Sequence, residues 1–314
     1  MNYTYLWISL TNPGSFMRNP SQQSFRKILI AVSALFLLAS GFKAVAQDTV
    51  VAVIESVKID TLKPGMWKNF KYDGRNVWGG IKHAYTQPFH WKEKDLLTAG
   101  GVVAGTALLF LADDETSEYF VNQGKNAPHA IKQFGWYFGS PQNNYGITGG
   151  VYLFGLLTNN EKIRKTGVLM IASATASGVI QSFAKTFAGR GRPIVGNGPA
   201  SFKPFSGIPD YNSFPSGHTV LSFTTAYAIG KQFKNPWIKS GIYAVGMIAP
   251  VSRLWAGAHW LTDVALSTAL SVAVVDSIDN YLNKEQKYNT DPTNKKISWS
   301  FQCGTSTIGI VGTF

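Results

Sequence analysis

Ser252-Arg253-Leu254-Trp255-Ala256-Gly257-Ala258-His259-Trp260-Leu261-Thr262-Asp263 sets an arginine, a histidine and an aspartate at short intervals beside an apolar run. His259 and Asp263 are four residues apart, a spacing that puts both side chains on one face of a helix, one turn apart. A carboxylate there accepts the N–H of one imidazole nitrogen and leaves the other nitrogen's lone pair free and more basic. Histidine attacks an electrophile such as phosphorus in that state. The same spacing also describes an ordinary surface pair worth a few tenths of a kcal/mol, so the stretch has to be read with what precedes it.

Two further blocks precede it. In Ser213-Phe214-Pro215-Ser216-Gly217-His218, Pro and Ser stand before a run with apolar residues at helical spacing, the signature of a helix start. The first N–H groups of such a helix lack partners and can hold phosphate oxygens. Gly217 allows close backbone approach, and His218 stands beside the bound anion, placed to protonate a leaving oxygen. The competing reading is a plain helix cap followed by an incidental histidine. Further upstream, Lys185 and Arg192-Pro193 bring two cations to the end of an apolar segment. Arginine supplies a planar fork of donors for phosphate and lysine a point charge. A basic helix end flanking a membrane would also explain them, and Arg190 fits that alternative.

Together and in this order, the three blocks resemble the signature of the type 2 phosphatidic acid phosphatase superfamily, which also holds bacterial acid phosphatases and vanadium haloperoxidases. Lys185, Arg192 and Pro193 match its first block, residues 215–218 its second, and Ser252, Arg253, His259 and Asp263 its third. The resemblance implies that His259 is the nucleophile that becomes a phosphohistidine, oriented by Asp263. It implies that His218 protonates the leaving group and that Lys185, Arg192, Ser216, Gly217 and Arg253 bind the phosphoryl oxygens. It further implies that no metal cofactor is needed, although vanadate could occupy the phosphate site.

The rest of the chain sets the frame. Apolar segments near 95–112, 145–157, 166–183, 217–230, 237–251 and 261–276 predict an all-α bundle of about six core helices, with shorter helices over the more polar 115–143. Asp113, Asp114 and Glu115 read as a cap region rather than a catalytic carboxylate pair. Each apolar segment is shorter than the roughly 20 residues a spanning helix wants, so buried core helices and membrane spans both remain open. Arg26-Lys27, the apolar run from Ile28 to Leu38 and Ala44-Val45-Ala46 predict a secretory signal over residues 1–46. Residues 47–91 are then an N-terminal extension, 92–284 the phosphatase-like domain, and 285–314 a linker with a tail whose two alternating runs predict a β-hairpin. The loop over 190–214 is expected to shape the substrate entrance, with Phe202, Phe205 and Phe214 touching a lipid chain.

A net charge of +12 and a pI near 9.6 favour anionic partners, either phosphorylated substrates or an acidic membrane surface. No zinc pattern or RNA-binding sheet motif supports nucleic acid. The single cysteine, Cys303, excludes an internal disulfide. These readings converge on an exported phosphatase on the periplasmic side of a bacterial membrane, membrane-associated or embedded. Its substrate is a phosphomonoester or pyrophosphate of a lipid, whether phosphatidate-type, isoprenoid pyrophosphate or lipid A phosphate. The alternatives are a vanadate-dependent haloperoxidase and a non-enzymatic membrane protein that keeps the fold.

Overall fold

Local sequence signals fix the helix ends that carry the functional blocks. The computed structural model describes residues 65–284, 287–288, 298–303 and 308–313; the expected signal over 1–46 lies outside them. The described helices are α1 (Met66–Thr86), α2 (Glu93–Phe110), α3 (Asp113–Asn126), α4 (His129–Gly139), α5 (Pro141–Leu157), α6 (Glu161–Ala188), α7 (Gly217–Gly230), α8 (Pro236–Trp255) and α9 (Leu261–Lys284). α6 starts where Asn160 Oδ1 accepts the Ile163 N–H at 3.1 Å. It stops at Gly189, whose φ of +56° only glycine adopts without strain. A Cβ there would lie 1.9 Å from the Lys203 carbonyl oxygen. α7 is capped by Ser216 and α8 by Asn235.

α6 to α9 alternate in direction, so the end of α6, the start of α7, the end of α8 and the start of α9 meet at one end of the bundle. This brings Lys185, Gly217, Arg253 and Asp263 together from four helices. The core lies between the first half of α6 and the second half of α9. It is made of Val168, Leu169, Met170, Val275, Ile278 and Leu282, all essentially without solvent contact. All six expected core helices are present, and two shorter ones, α3 and α4, occupy the polar stretch between α2 and α5. The tail forms the expected hairpin: β1 (Ser298–Cys303) pairs antiparallel with β2 (Ile308–Thr313), Ser298 opposite Thr313 and Cys303 opposite Ile308.

The extension expected over 47–91 is different in its described part. α1 packs on α6 and α9 as a bundle helix, and residues 62–314 form one compact unit. The first half of its buried face is polar (Asn69, Asp73, Asn76), and only the short run Val77, Ile81 and Ala84 joins the apolar core, too little to mark a core helix in the sequence. Asp73 is 1% exposed. It pairs with Arg164 Nε at 2.8 Å and accepts from the hydroxyls of Tyr288 (2.8 Å) and Tyr152 (3.1 Å).

Among the described residues, two helices, α6 and α9, are long and apolar enough to cross a membrane, and α2 with α3 meet the same measure as a pair bent by 69°. α2 has no fully buried residue: Leu97 and Leu108 within it are 69% and 70% exposed, and Leu111 just after it is 81% exposed. α2 packs along α9 on one side only, and an exposed apolar surface of that extent is the kind that lipid covers. Both spans outrun their apolar segments: α6 adds residues 161–165 and 184–188, and α9 adds residues 277–284.

Removing the Asp73 carboxylate leaves a buried guanidinium unpaired, which costs about 3–5 kcal/mol. Asp73→Ala in detergent-purified protein should therefore unfold at a clearly lower temperature, with Asp73→Leu plus Arg164→Met recovering part of the loss. A single mutant with an unchanged melting curve would refute this role for the pair.

Candidate active site

The site is built on a buried ion triad beneath it. Arg190, 2% exposed, follows directly on the glycine that ends α6. Its Nη1 donates to Asp263 Oδ1 at 2.6 Å and Thr262 Oγ1 at 2.8 Å, its Nη2 to Asp113 Oδ2 at 2.7 Å, and its Nε to the Pro199 carbonyl at 3.0 Å. The rings of Phe110 and Trp260 lie 5.0 and 5.4 Å from the guanidinium carbon. Asp113 also accepts from Thr262, from its N–H at 3.1 Å and its hydroxyl at 2.6 Å. It thus caps α9 from another helix. Asp263 caps the same helix from within, accepting the Trp260 N–H at 2.9 Å on Oδ2.

That cap changes the expected relation of His259 to Asp263. His259 lies in the turn between α8 and α9, not on a helix. Its Nδ1 is 2.6 Å from the Ser213 carbonyl oxygen and 3.8 Å from Asp263 Oδ2. A carbonyl only accepts, so Nδ1 carries the proton and Nε2 keeps the free lone pair. Asp263 holds the arrangement at one remove, because the Ser213 hydroxyl donates to the same Oδ2. The Ser213 N–H is fixed in turn by the Arg190 carbonyl at 3.0 Å. The lone pair the sequence calls for is present, and the serine carbonyl rather than the carboxylate secures it.

Ser216 caps α7. Its Oγ accepts from the Thr219 N–H at 3.4 Å and the Thr219 hydroxyl at 2.9 Å, and its N–H donates to Ser267 Oγ at 2.8 Å. The next two N–H groups, of Gly217 and His218, have no acceptor among the described residues. A Cβ on Gly217 would meet only the Gln181 side chain, at 3.5 Å, so the fold leaves that face of the backbone open. His218 is pressed from behind by α4, where a Cβ on Gly139 would come within 2.7 Å of the His218 Cβ. The Trp136 ring centroid lies 6.2 Å from that of His218.

The three remaining cations converge on the two imidazoles. Burial first, then the charges of Arg253, His259, Lys185 and Arg192, push His218 down from 6.5 to about 3. Burial lowers His259 too; Asp263 opposes this, while Lys185 and Arg192 add to it. Arg253, lowered to about 10 by burial and then by Arg192, stays charged at neutral pH. His218 Nε2 and Arg192 Nε are buried without a hydrogen-bond partner among the described residues. Buried polar atoms left unpaired are costly. Here they share a cup with three positive charges and two open N–H groups. An anion with several oxygens would satisfy all of them.

All eight residues singled out in the sequence therefore stand at one end of the bundle, with Ser216 acting as the cap of the cradle. Sequence reasoning missed Arg190, Asp113 and Ser213. Arg190 sits in Gly189-Arg190-Gly191-Arg192, where it reads as one more basic residue at a helix end. Asp113 reads as an ordinary cap, and it is one, but for α9.

Residues 166–287 match the PAP2 superfamily. The lipid A 1-phosphatase of Rhizobium etli is 33% identical over 107 residues, covering 33% of this chain and 44% of that protein. The bacitracin transport permease protein BcrC of Bacillus licheniformis is 33% identical over 91 residues, 25% of this chain and 42% of that protein. The chain thus spans less than half the length of these curated relatives. The crystal structure of Aquifex aeolicus LpxE aligns at 20% identity with a TM-score of 0.39, covering 52% of this chain and 93% of that one. All three signature blocks, from Lys185 to Asp263, were read from the sequence without these relatives, and all three fall inside the region that matches the PAP2 superfamily.

Proposed function

We propose that this chain is a metal-independent phosphatase that hydrolyses a phosphomonoester or pyrophosphate of a lipid through a phosphohistidine on His259. The observation that carries this reading is the hydrogen bond from His259 Nδ1 to the Ser213 carbonyl, because it leaves Nε2 unprotonated beside the cationic cup. The Nε2 lone pair forms the N–P bond as the bond from phosphorus to the leaving oxygen breaks. His218 gives that oxygen its proton. Water then attacks the phosphohistidine, the now neutral His218 takes a proton from it, and phosphate leaves with His259 restored. Lys185, Arg192, Arg253 and the N–H groups of Ser216's helix start, at Gly217 and His218, face the charge that develops on the equatorial oxygens.

A lipid substrate is supported by the apolar exposure of α2 and by the lipid A 1-phosphatases among the relatives. For the side of the membrane, the end opposite the site carries Lys162, Lys231, Lys234, Lys239 and Lys284 in and beside its helix connections. Lysines in such connections fit the cytoplasmic side, and with the export signal expected over 1–46 they support a site on the periplasmic side. Vanadate is expected to occupy the cup as a phosphate mimic.

Three outcomes test the chemistry. His259→Ala should abolish phosphate release and covalent labelling by radioactive substrate. His218→Ala should retain more activity on nitrophenyl phosphate, whose leaving oxygen needs no proton, than on an alkyl phosphate. Full turnover by the His259 variant would end the mechanism.

Arg190→Lys keeps a charge but not the planar fork. It should lower kcat on all substrates by roughly 10- to 100-fold with little change in KM, because it loosens Asp263 and Ser213 rather than the phosphate contacts. A rise in KM alone would instead make Arg190 a substrate-binding residue.

A fourth outcome concerns pH. His218 has a folded value below its unfolded one, so its contribution to stability is complete above about pH 6.5 and is lost as pH falls from there toward 3. A bound dianion reverses the local field and lets the imidazole take up its proton. Sulfate, which does not titrate in this range, should raise the melting temperature more at pH 5.5 than at pH 8. His218→Gln should flatten that difference, and equal sulfate shifts at both pH values in the unmodified protein would contradict the cup as drawn.

A further inference from the structure

Two of the three loop phenylalanines expected to meet a lipid chain, Phe202 and Phe205, rest partly on protein and stay 48% and 66% exposed. Phe205 packs edge-on against Phe187 at 5.1 Å, with its N–H on the Thr186 carbonyl at 2.7 Å. Phe202 lies 5.8 Å from the Arg190 guanidinium carbon. A different surface lies in line with the cup. Between α5, α6 and α7 runs a groove of about 510 Å³, lined by Tyr145, Thr175, Gly178, Val179, Gln181 and Leu221 among others. That volume is within the ~300–1,000 Å³ of ordinary ligand sites.

Its position on α6 ties it to the phosphate cup. Gly178, Gln181 and Lys185 follow at intervals of three and four residues, so they lie on one helix face. Lys185 is in the cup, and Gln181 is the side chain nearest the open backbone of Gly217. Gly178 is therefore about 10 Å down the helix from Lys185. The groove faces outward: Tyr145, Val179 and Phe183 are 41%, 42% and 63% exposed. It runs along a helix long and apolar enough to cross a membrane.

We infer that this groove holds the hydrocarbon chain of the substrate, entered sideways from the bilayer, while its phosphate sits in the cup. The inference rests on the phosphatase reading above and adds the place where chain length is read. Gly178 leaves the groove open. A Cβ there would find only the Tyr145 hydroxyl, at 3.9 Å, so a larger side chain is accommodated by filling the groove rather than by disturbing the fold.

The experiment compares unmodified protein with Gly178→Leu on two substrates, dipalmitoyl phosphatidate in mixed micelles and para-nitrophenyl phosphate. Gly178→Leu should lower kcat/KM for phosphatidate about tenfold or more, mostly through KM, and leave the aryl ester within about twofold. Equal rates on phosphatidate before and after the substitution, or equal losses on both substrates, would overturn the groove's role while the phosphatase reading stands. If the unmodified protein releases phosphate from neither substrate, the phosphatase reading falls and the groove's role with it. Should the variant not fold, a phosphatidate analogue with a mid-chain diazirine decides the matter on unmodified protein. Photolabelling of peptides from 141–145 and 175–182 supports the groove, and labelling confined to 202–214 overturns it.

Discussion

The contact on which the site depends is the fork of Arg190 between Asp113 and Asp263. It ties the start of α3, the loop after α6 and the start of α9 into one unit, and Asp263 then fixes Ser213 and, through it, the ring of His259. One positive charge faces two negative ones, so the triad carries a net −1. Directly above it stand Lys185, Arg192 and Arg253. Three cations in a partly dry cup repel one another, and a negative foundation offsets part of that repulsion without entering the cup and competing with the substrate. A carboxylate in the cup itself would do the opposite, neutralising the charges that the phosphoryl group needs.

The far end of the bundle uses the same device for a different purpose. Asp73 pairs with Arg164, Lys231 with Asp276 and Asp279, and Lys165 donates to Asn283. The charges there, three of each sign, balance among themselves. A balanced cluster holds helices in register and has no need of a ligand. The cup is unbalanced, and two of its buried nitrogens lack partners. The contrast between the ends locates the chemistry as well as the motifs do: one helix pair, α6 and α9, carries a closed set of charges at one end and an open set at the other.

The helices and the cup were legible in the sequence because each leaves a repeated or ordered signal. Apolar spacing marks α6 to α9, and the Ser-Gly pair at 216–217 marks the start of α7. What was not legible depends on single residues acting across long separations. Asp113 contacts Thr262 at a separation of 149 residues, and no local pattern records that. α1 was assigned to an extension because most of its buried side chains are Asn and Asp, which read as solvent-facing until Arg164 and Tyr288 are seen against them. The spacing of His259 and Asp263 was read correctly as a pair and incorrectly as a helix face. A carboxylate at the third position of a helix turns back to cap it, and that capping moved the histidine's direct partner to the Ser213 carbonyl.

α6 joins these features into a measure of the substrate. A single rigid helix carries Lys185, at the phosphate, and Gly178, in the apolar groove, so the distance between the polar and apolar ends of a ligand is set by helical rise rather than by a loop. The glycine that ends the helix, Gly189, releases the chain into the turn that buries Arg190, and the triad is thereby referenced to the same axis. A shift of α6 along its length would move the phosphate arm, the groove and the foundation of His259 together. Tolerance to such motion is therefore greatest in the concerted direction, while changes that bend α6 between 178 and 189 separate head from tail. α6 as a whole is held by α7 and α9, and it stops at Gly189, whose left-handed backbone ends the helix at a fixed residue.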